Sequence, residues 1–164
     1  MTAPTTPSSS PSVLLRHPLG WIASGFGSGF SPRAQGTVGT AAALLPWLWL
    51  RALPLPYYAL AIVIAFAIGV WASNWVVRRS GMQDPQVVVW DEFVGVWIAL
   101  VAAPSGWIWM LAGFALFRLF DIWKPWPVSW ADEKIGGGLG VMLDDVFAGI
   151  YALIVMQVVA YFLH

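Results

Sequence analysis

The sequence predicts an all-α protein, an integral membrane bundle of about five hydrophobic helices with a polar site at its cytoplasmic edge. Three observations lead to this prediction. Apolar residues make up 59% of the 164 residues and charged residues only 10%, whereas soluble domains carry roughly a quarter charged residues. Several apolar runs approach the ~20 residues that a helix needs to cross a bilayer. The few charges fall mostly between these runs or at their ends.

The chain begins with a polar tract. Residues 1–12 are almost entirely Thr, Pro and Ser, and we expect them to form a disordered tail because this composition cannot bury a core. The tract lacks the basic start and apolar centre of a secretory signal peptide, so we expect it to stay in the cytoplasm. Residues 13–164 are then predicted to form a single helical membrane domain.

Five apolar segments are predicted to be the hydrophobic helices. Residues 57–77 and 146–163 are the clearest, because each has nearly the full length of a membrane span. The run at 37–53 is shorter and contains a proline. The runs at 93–103 and 107–117 are joined by a Pro-Ser-Gly turn signal. They reach nearly full length only if the charged residues at their ends are included.

The charges are distributed unevenly along this predicted topology. If five helices alternate in direction from a cytoplasmic N-terminus, fifteen of the sixteen Lys, Arg, Asp and Glu residues lie on one face, and only Arg51 lies on the other. The positive-inside rule makes the crowded face cytoplasmic. We therefore expect a multi-pass protein whose polar site faces the cytoplasm.

The charge balance and the lack of cysteine exclude several classes of site. Eight Lys and Arg residues balance eight Asp and Glu residues, so we expect neither nucleic-acid binding nor a polybasic patch for anionic lipid. The chain has no cysteine. Thiolate nucleophiles, cysteine-based zinc sites and iron–sulfur clusters are therefore excluded.

Three charged motifs supply the candidate site residues. They are Asp91-Glu92, then Arg118 with Asp121 and Lys124, then Asp144-Asp145. The middle set has a spacing of three, which places its members on one helix face. Asp91 and Asp145 each precede a glycine, Gly95 and Gly149, by four residues. This spacing predicts that two helices approach closely at these points.

These seven charges suit the chemistry of phosphate and a divalent cation. Five carboxylates and two cations at the depth of lipid headgroups are what a magnesium ion handling a phosphate needs. The alternative is a set of ordinary ion pairs at helix ends, each worth at most about 1 kcal/mol. We favour the site, because seven charges on three helices are costly to place at a membrane edge. By contrast, we expect Asp132, Glu133 and Lys134 to be a solvated loop.

A glycine- and threonine-containing motif opens the first apolar segment. Gly36-Thr37-Val38-Gly39-Thr40 would present backbone N–H groups at a helix N-terminus, where an anion can bind. The same residues would equally serve close helix packing. The motif lacks the lysine of a nucleotide-binding loop, so nucleotide binding is not implied.

With these motifs in this order, the sequence resembles the phosphatidylglycerophosphatase A family of bacterial inner-membrane phosphatases. The resemblance extends from about Gly25 to Gly149. It rests on Gly-Phe-Gly-Ser-Gly at 25–29, Pro32, and the motifs at 36–40, 89–95, 117–127 and 138–149. It implies an all-helical fold and location in the bacterial inner membrane. It further implies Mg²⁺-dependent hydrolysis of a phospholipid substrate, phosphatidylglycerophosphate, to phosphatidylglycerol and phosphate.

The candidate residues are expected to divide the work as follows. Metal ligands or their supports are expected to be Asp91, Glu92, Asp144 and Asp145. Asp121 would complete the metal site or act as base or nucleophile. The phosphoryl group would be held by Arg118 and Lys124, with the backbone of Thr37, Gly39 and Thr40 as a further anion cradle.

Two alternatives to this function stay open. One is a Mg²⁺-dependent phosphatidyltransferase, although its usual Asp-Gly-x₂-Ala-Arg signature is missing. The other is a non-enzymatic membrane subunit or a transporter, although transporters place their binding groups near the middle of the bilayer. The sequence leaves the oligomeric state open.

Overall fold

A computed structural model describes residues 11–163, and within them the chain is all-helical, without a strand. The fold class predicted from the sequence is confirmed in this respect. The helices are α1 (Pro11–Leu14), α2 (Pro18–Ala23), α3 (Gln35–Leu50), α4 (Leu55–Ser80), α5 (Trp90–Ala99), α6 (Trp107–Trp123), α7 (Val128–Lys134) and α8 (Gly137–Leu163), with one 3₁₀ turn at Ser28–Phe30. Most of the predicted disordered tail, residues 1–10, lies outside the described residues, so its disorder stays a prediction; residues 11 and 12 begin α1.

Five apolar helices occur where the sequence predicts them, but a bundle of five membrane-crossing helices is not confirmed. Among the described residues, only α4 and α8 are long and apolar enough to cross a membrane, with 26 and 27 residues. The ten residues of α5 span about 15 Å, which is half of the ~30 Å hydrocarbon core. An eleven-residue apolar run such as 93–103 therefore predicts a helix, but it does not show that this helix crosses the membrane.

The outer surfaces of α4 and α8 are apolar. Large side chains stand exposed along α4, among them Leu60, Val63 and Ile68, and along α8, among them Ile154 and Val158. A long apolar helix inside a soluble protein would instead be mostly buried. These faces are what two helices in contact with lipid would present.

The apolar run after Glu92 forms the centre of the fold and not its lipid-facing surface. Eight of the ten residues of α5 are buried, and the helix is enclosed by α3, α4, α6 and α8. Two indole N–H groups hold it in place: Trp90 donates to the carbonyl of Ala65 on α4, and Trp97 to that of Ala43 on α3, both at 2.9 Å. Hydrophobic periodicity alone does not separate a buried helix from a lipid-facing one.

Two glycines set the crossing of α5 and α8. A Cβ on Gly149 would collide with the carbonyl oxygen of Gly95, and a Cβ on Gly95 would lie 2.9 Å from the carbonyl oxygen of Asp145. The predicted close approach of helices one turn from Asp91 and Asp145 is therefore confirmed. Because the backbones touch here, the acidic first turn of α5 lies beside the acidic segment of α8.

Candidate active site

All the acidic residues of the chain line a single cavity of about 540 Å³ at one end of the helices. Its charged lining consists of Asp84, Asp91, Glu92, Asp121, Asp132, Glu133, Asp144 and Asp145 with Arg118, Lys124 and Lys134. Eight carboxylates against three cations leave five formal negative charges in this space. Such an excess in a partly buried site is relieved by protonation of some carboxylates or by a further cation.

Arg118, near the end of α6, is paired with Glu92 on α5, and Glu92 in turn bonds to α3. Its Nη1 donates to both oxygens of Glu92 at 2.6 Å and forms an ion pair with Oδ2 of Asp121 at 2.7 Å. The Thr40 hydroxyl on α3 lies 2.8 Å from Oε2 of Glu92 and donates to that carboxylate. Charge-assisted hydrogen bonds of this kind are the strong ones, and they hold Glu92 in one orientation. Gly36 leaves room for the Glu92 carboxylate in this orientation, because a Cβ at position 36 would overlap it.

Glu92, Asp121 and Asp145 form a carboxylate triad. One oxygen from each lies within 4.8 Å of the other two. Asp145 is 3% exposed, and its Oδ2 is buried with no hydrogen-bond partner among the described residues. Mg²⁺ takes oxygen ligands at 2.0–2.1 Å in an octahedron, so opposite ligands stand about 4.2 Å apart. Small side-chain rotations would bring this triad onto one such ion, so the donor set fits Mg²⁺.

Lys124 forms a second cationic centre in the cavity. It follows the last residue of α6 with φ 47°, and its Nζ lies 2.7 Å from Oδ1 of Asp132 and 3.0 Å from Oδ2 of Asp144. Burial lowers the pKa of this ammonium, but its hydrogen bond to Asp132 and the charge of Asp144 raise the pKa more, to above its ordinary value. Lys124 is therefore a permanent cation at neutral pH.

The crowding of carboxylates shows in the pKa values of α5. Burial and the charge of Asp121 raise the pKa of Glu92 to about 7, against the lowering effect of Arg118. Burial and the neighbouring Glu92 and Asp144 raise the pKa of Asp91 well above its usual range. Both pKa values are raised because burial and neighbouring negative charges disfavour the ionised carboxylate. A divalent cation in the triad would favour the ionised forms.

Most of the residues predicted for the site do meet in this cavity. The seven charged residues are all in its lining: Asp91, Glu92, Arg118, Asp121, Lys124, Asp144 and Asp145. The triad differs from the predicted ligand set, since it includes Asp121 and leaves out Asp91 and Asp144. Asp144 is held by Lys124 instead.

The predicted anion cradle at residues 37–40 does not line the cavity. Thr37 is exposed elsewhere, and Gly39 packs against the side chain of Val89, which is the helix-packing role that the sequence left open. Thr40 acts on the site only through Glu92. The first turn of α3 does line the cavity, but with Ala34, Gln35 and Gly36, one turn earlier than predicted.

Four charged residues of the lining fall outside the predicted site. Asp132, Glu133 and Lys134 were expected in a solvated loop, but Asp132 and its neighbours lie in α7 and face the cavity. Asp84, in the connection between α4 and α5, joins them. No spacing in the sequence indicated these residues, because Lys124 and Asp132 meet only through the turn between α6 and α7.

Comparison with known proteins gives consistent matches. Residues 21–160 match the protein family described as phosphatidylglycerophosphatase A. The phosphatidylglycerophosphatase A of Escherichia coli K12 is 42% identical over 137 residues, covering 83% of this chain and 80% of that protein. The protein of the same name from Haemophilus influenzae is 42% identical over 153 residues, covering 92% and 94%.

A third relative has a different name. A protein of Bacteroides thetaiotaomicron, provisionally named a phosphatidylinositol-3-phosphatase, is 49% identical over 146 residues, covering 84% of this chain and 90% of that protein. No solved structure matches the chain significantly.

Proposed function

Because this chain belongs to the phosphatidylglycerophosphatase A family, it is a lipid phosphatase, and we propose that the carboxylate cavity is its active site. The reaction is hydrolysis of phosphatidylglycerophosphate to phosphatidylglycerol and inorganic phosphate. The observation that carries the proposal is the triad of Glu92, Asp121 and Asp145, with one buried Asp145 oxygen unpartnered, in a cavity that also holds fixed cations.

Mg²⁺ is the proposed cofactor, held by Glu92, Asp121 and Asp145. When bound, the ion would neutralise negative charge on the phosphoryl group and on the three carboxylates. Arg118 keeps Glu92 and Asp121 oriented for this purpose through its ion pairs with both. Asp91 and Asp144, which the sequence predicted as ligands, directly precede Glu92 and Asp145. They would act beside the ion without binding it.

Two cations and a helix terminus are proposed to hold the phosphoryl oxygens. Arg118 Nε is buried and has no hydrogen-bond partner among the described residues, so it can donate to a phosphate without breaking the ion pairs of Nη1. Lys124 lies between Asp132 and Asp144 as a point charge. The first turn of α3 at Gln35 and Gly36 supplies N–H groups at a positive helix end.

Asp91 is the proposed general base. It lines the cavity next to Glu92 and takes part in none of the ion pairs of the described residues. A water molecule would pass a proton to Asp91 as its oxygen bonds to phosphorus. The bond from phosphorus to the glycerol oxygen then breaks, and solvent at the cavity mouth protonates that oxygen. Attack by an aspartate instead of water is the other route that the sequence left open.

The lipid substrate is proposed to enter from the cytoplasmic leaflet of the bacterial inner membrane. On α6, the exposed apolar residues Leu119, Ile122 and Trp123 alternate with Arg118 and Asp121, so an acyl chain and a phosphate would have separate surfaces on one helix. In this proposal α4 and α8, which pack against each other, cross the bilayer. α5 packs against both, α3 and α6 pack around α5, and the cavity faces the cytoplasm.

A second substrate is favoured by one specific observation. The Bacteroides thetaiotaomicron relative is the most identical of the three described here and is named for phosphatidylinositol 3-phosphate. Both lipids are phosphate monoesters, and triad chemistry would act on either. Phosphatidyltransfer and transport, the alternatives from the sequence, are set aside by membership of a phosphatase family.

The function is tested by phosphate release from both lipids by the purified full-length protein in detergent. Asp121→Asn is expected to lower turnover at least about a hundredfold, because it removes one of the three proposed Mg²⁺ ligands and an ion-pair partner of Arg118. Arg51→Gln is the control, because Arg51 is exposed, lies at the opposite end of the molecule and takes part in none of the described ion pairs; its turnover should stay within about twofold. Lys124→Ala should raise KM as well as lower kcat.

Three outcomes would each contradict part of this assignment. If Asp121→Asn is fully active and Asp132→Asn is inactive, the active site has been assigned to the wrong motif. Faster release from phosphatidylinositol 3-phosphate than from phosphatidylglycerophosphate would transfer the proposal to the second substrate. Undiminished release in excess EDTA would exclude the metal.

A further inference from the structure

Because the acidic residues are concentrated in one cavity, other arginines have no acidic partner among the described residues. All eight Asp and Glu residues line that cavity, and the ion pairs of the described residues involve only Arg118 and Lys124 among the cations. Arg16, between α1 and α2, and Arg79, at the end of α4, are both exposed. Their positive charges are therefore available to a ligand.

An aromatic platform holds these cations around one groove. Val13, Arg16, His17, Trp75 and Arg79 line it. The His17 ring stacks on Trp75 with centroids 4.4 Å apart, and the Arg79 guanidinium lies 5.3 Å from the centre of the same indole. Nδ1 of His17 accepts the N–H of Leu19, so Nε2 is the nitrogen left to donate to a ligand.

A second groove continues from the first and is largely apolar. It shares Arg16 and His17 and is otherwise lined by Leu15, Pro18, Trp21, Ile22 and Phe26. Trp21 is 44% exposed and Phe26 60%. Aromatic side chains beside cations are typical of protein surfaces that lie at the boundary between headgroups and acyl chains.

We propose that Arg16, His17 and Arg79 bind the phosphate of an anionic phospholipid whose acyl chain lies along Trp21 and Phe26. Charge complementarity identifies the headgroup, since two arginines face no protein carboxylate. The adjoining apolar groove distinguishes a lipid from free phosphate. The two grooves share no lining residue with the catalytic cavity, so this lipid is distinct from the substrate. It would fix α1 and α2 at the cytoplasmic membrane surface.

This surface differs from what the overall composition indicated. The equal number of acidic and basic residues predicted no basic patch for anionic lipid. The fold separates the charges, because every acidic side chain is drawn into one cavity. What remains around Arg16 and Arg79 is a basic surface on a neutral protein.

The test is binding of dioctanoyl-phosphatidylserine to the full-length protein in detergent with EDTA, followed by native mass spectrometry. This lipid is a phosphodiester and therefore not a substrate for a phosphomonoesterase. Each arginine near a lipid phosphate contributes about 1 kcal/mol, or about fivefold in affinity, so Arg16→Gln with Arg79→Gln should weaken binding roughly thirtyfold. Arg51→Gln is the matched control, because Arg51 also lies over an indole, that of Trp47, at the opposite end; its affinity should change less than twofold.

Dioctanoyl-phosphatidylcholine and inorganic phosphate complete the comparison. The wild type should bind phosphatidylserine at least about tenfold more tightly than either. Equal binding of phosphatidylcholine, or unchanged phosphatidylserine binding by the double variant, would overturn the proposal. Inorganic phosphate binding that equals lipid binding and is lost in the same variant would also overturn it, in favour of a simple anion site. If the double variant does not fold, the two single variants test the same proposal. Each is expected to bind phosphatidylserine about fivefold more weakly than the wild type.

Discussion

Asp145 is the side chain on which the electrostatics of the cavity depend most directly. Its carboxylate is almost wholly buried, and one of its oxygens has no partner among the described residues. Leaving a buried polar atom unpaired costs about 1–3 kcal/mol, and more if it is charged. A ligand at this oxygen would remove that cost, and the triad with Glu92 and Asp121 could hold a cation there.

Asp145→Asn is therefore expected to change stability in opposite directions with and without metal. In EDTA the variant should unfold at a temperature about 2–5 °C higher than the wild type, because a buried charge is removed. Mg²⁺ at ~100 times its Kd should stabilise the wild type by about 2.7 kcal/mol and the variant far less. Thermal unfolding in detergent measures both effects, with Arg51→Gln, at the opposite end of the molecule, expected to respond to Mg²⁺ as the wild type does. A Mg²⁺ response in Asp145→Asn equal to that of the wild type would exclude Asp145 as a ligand.

Gly36 provides the space that the ion pair between Glu92 and Arg118 needs. A Cβ at this position would overlap the Glu92 carboxylate and come within 2.9 Å of Arg118 Nη1. We expect Gly36→Ala to lower turnover at least about tenfold, because displacement of an oriented carboxylate by about 1 Å can cost a hundredfold. Gly136→Ala is the control, since a Cβ there has no neighbour within 4 Å. Steady-state phosphate release with equal rates for the two variants would contradict this role of Gly36.

Among the helices, α5 determines the geometry of the site. It is short and buried, carries Asp91 and Glu92 in its first turn, and meets α8 at the contact between Gly95 and Gly149. The distance between the acidic residues of the two helices therefore depends on this one crossing. Its indole hydrogen bonds to α3 and α4 prevent it from sliding.

Gly149→Ala tests this crossing. The added methyl would collide with the backbone carbonyl oxygen of Gly95, which cannot rotate away as a side chain could. Overpacking of this kind typically costs about 1–3 kcal/mol, and separation of α5 from α8 should also weaken the response of the unfolding temperature to Mg²⁺. Thermal unfolding of Gly149→Ala beside Gly136→Ala, each with and without Mg²⁺, measures both losses. A variant as stable as the control would show that the helices can move apart freely.

At the scale of the whole molecule, the protein is strongly polarised along the direction of its helices. The cavity with every acidic side chain is at one end, and Arg51 is at the other, after the last residue of α3. The long helices α4 and α8 connect the two ends with exposed apolar faces. This arrangement suits a membrane protein with one polar face, and the positive-inside rule predicts that this face is cytoplasmic.

Labelling of single cysteines tests that orientation directly, because the chain contains no cysteine of its own. Asp84→Cys and Asp132→Cys, at the cavity, should be protected from a membrane-impermeant maleimide in intact cells and labelled after the cells are opened. Leu53→Cys, in the connection between α3 and α4, should be labelled from outside. Labelling of positions 84 and 132 in intact cells would place the active site on the opposite face.

The sequence by itself determined the helical fold, the position of the apolar segments and seven charged residues of the candidate site. These features depend on local composition and on spacings of three or four, which one helix reveals without its neighbours. Arg118 and Asp121, three residues apart, were placed together correctly for this reason.

Only the tertiary structure decided which carboxylates meet, and that α5 is a core helix and not a membrane span. The triad joins residues 92, 121 and 145, and the distances between them depend on how α5, α6 and α8 cross, which no local pattern encodes. The same is true of Asp84 and Asp132, which reach the cavity through the connections around Lys124. A ligand set requires its atoms to lie within a few ångströms of one another, and helix packing alone sets distances of that size between segments remote in sequence.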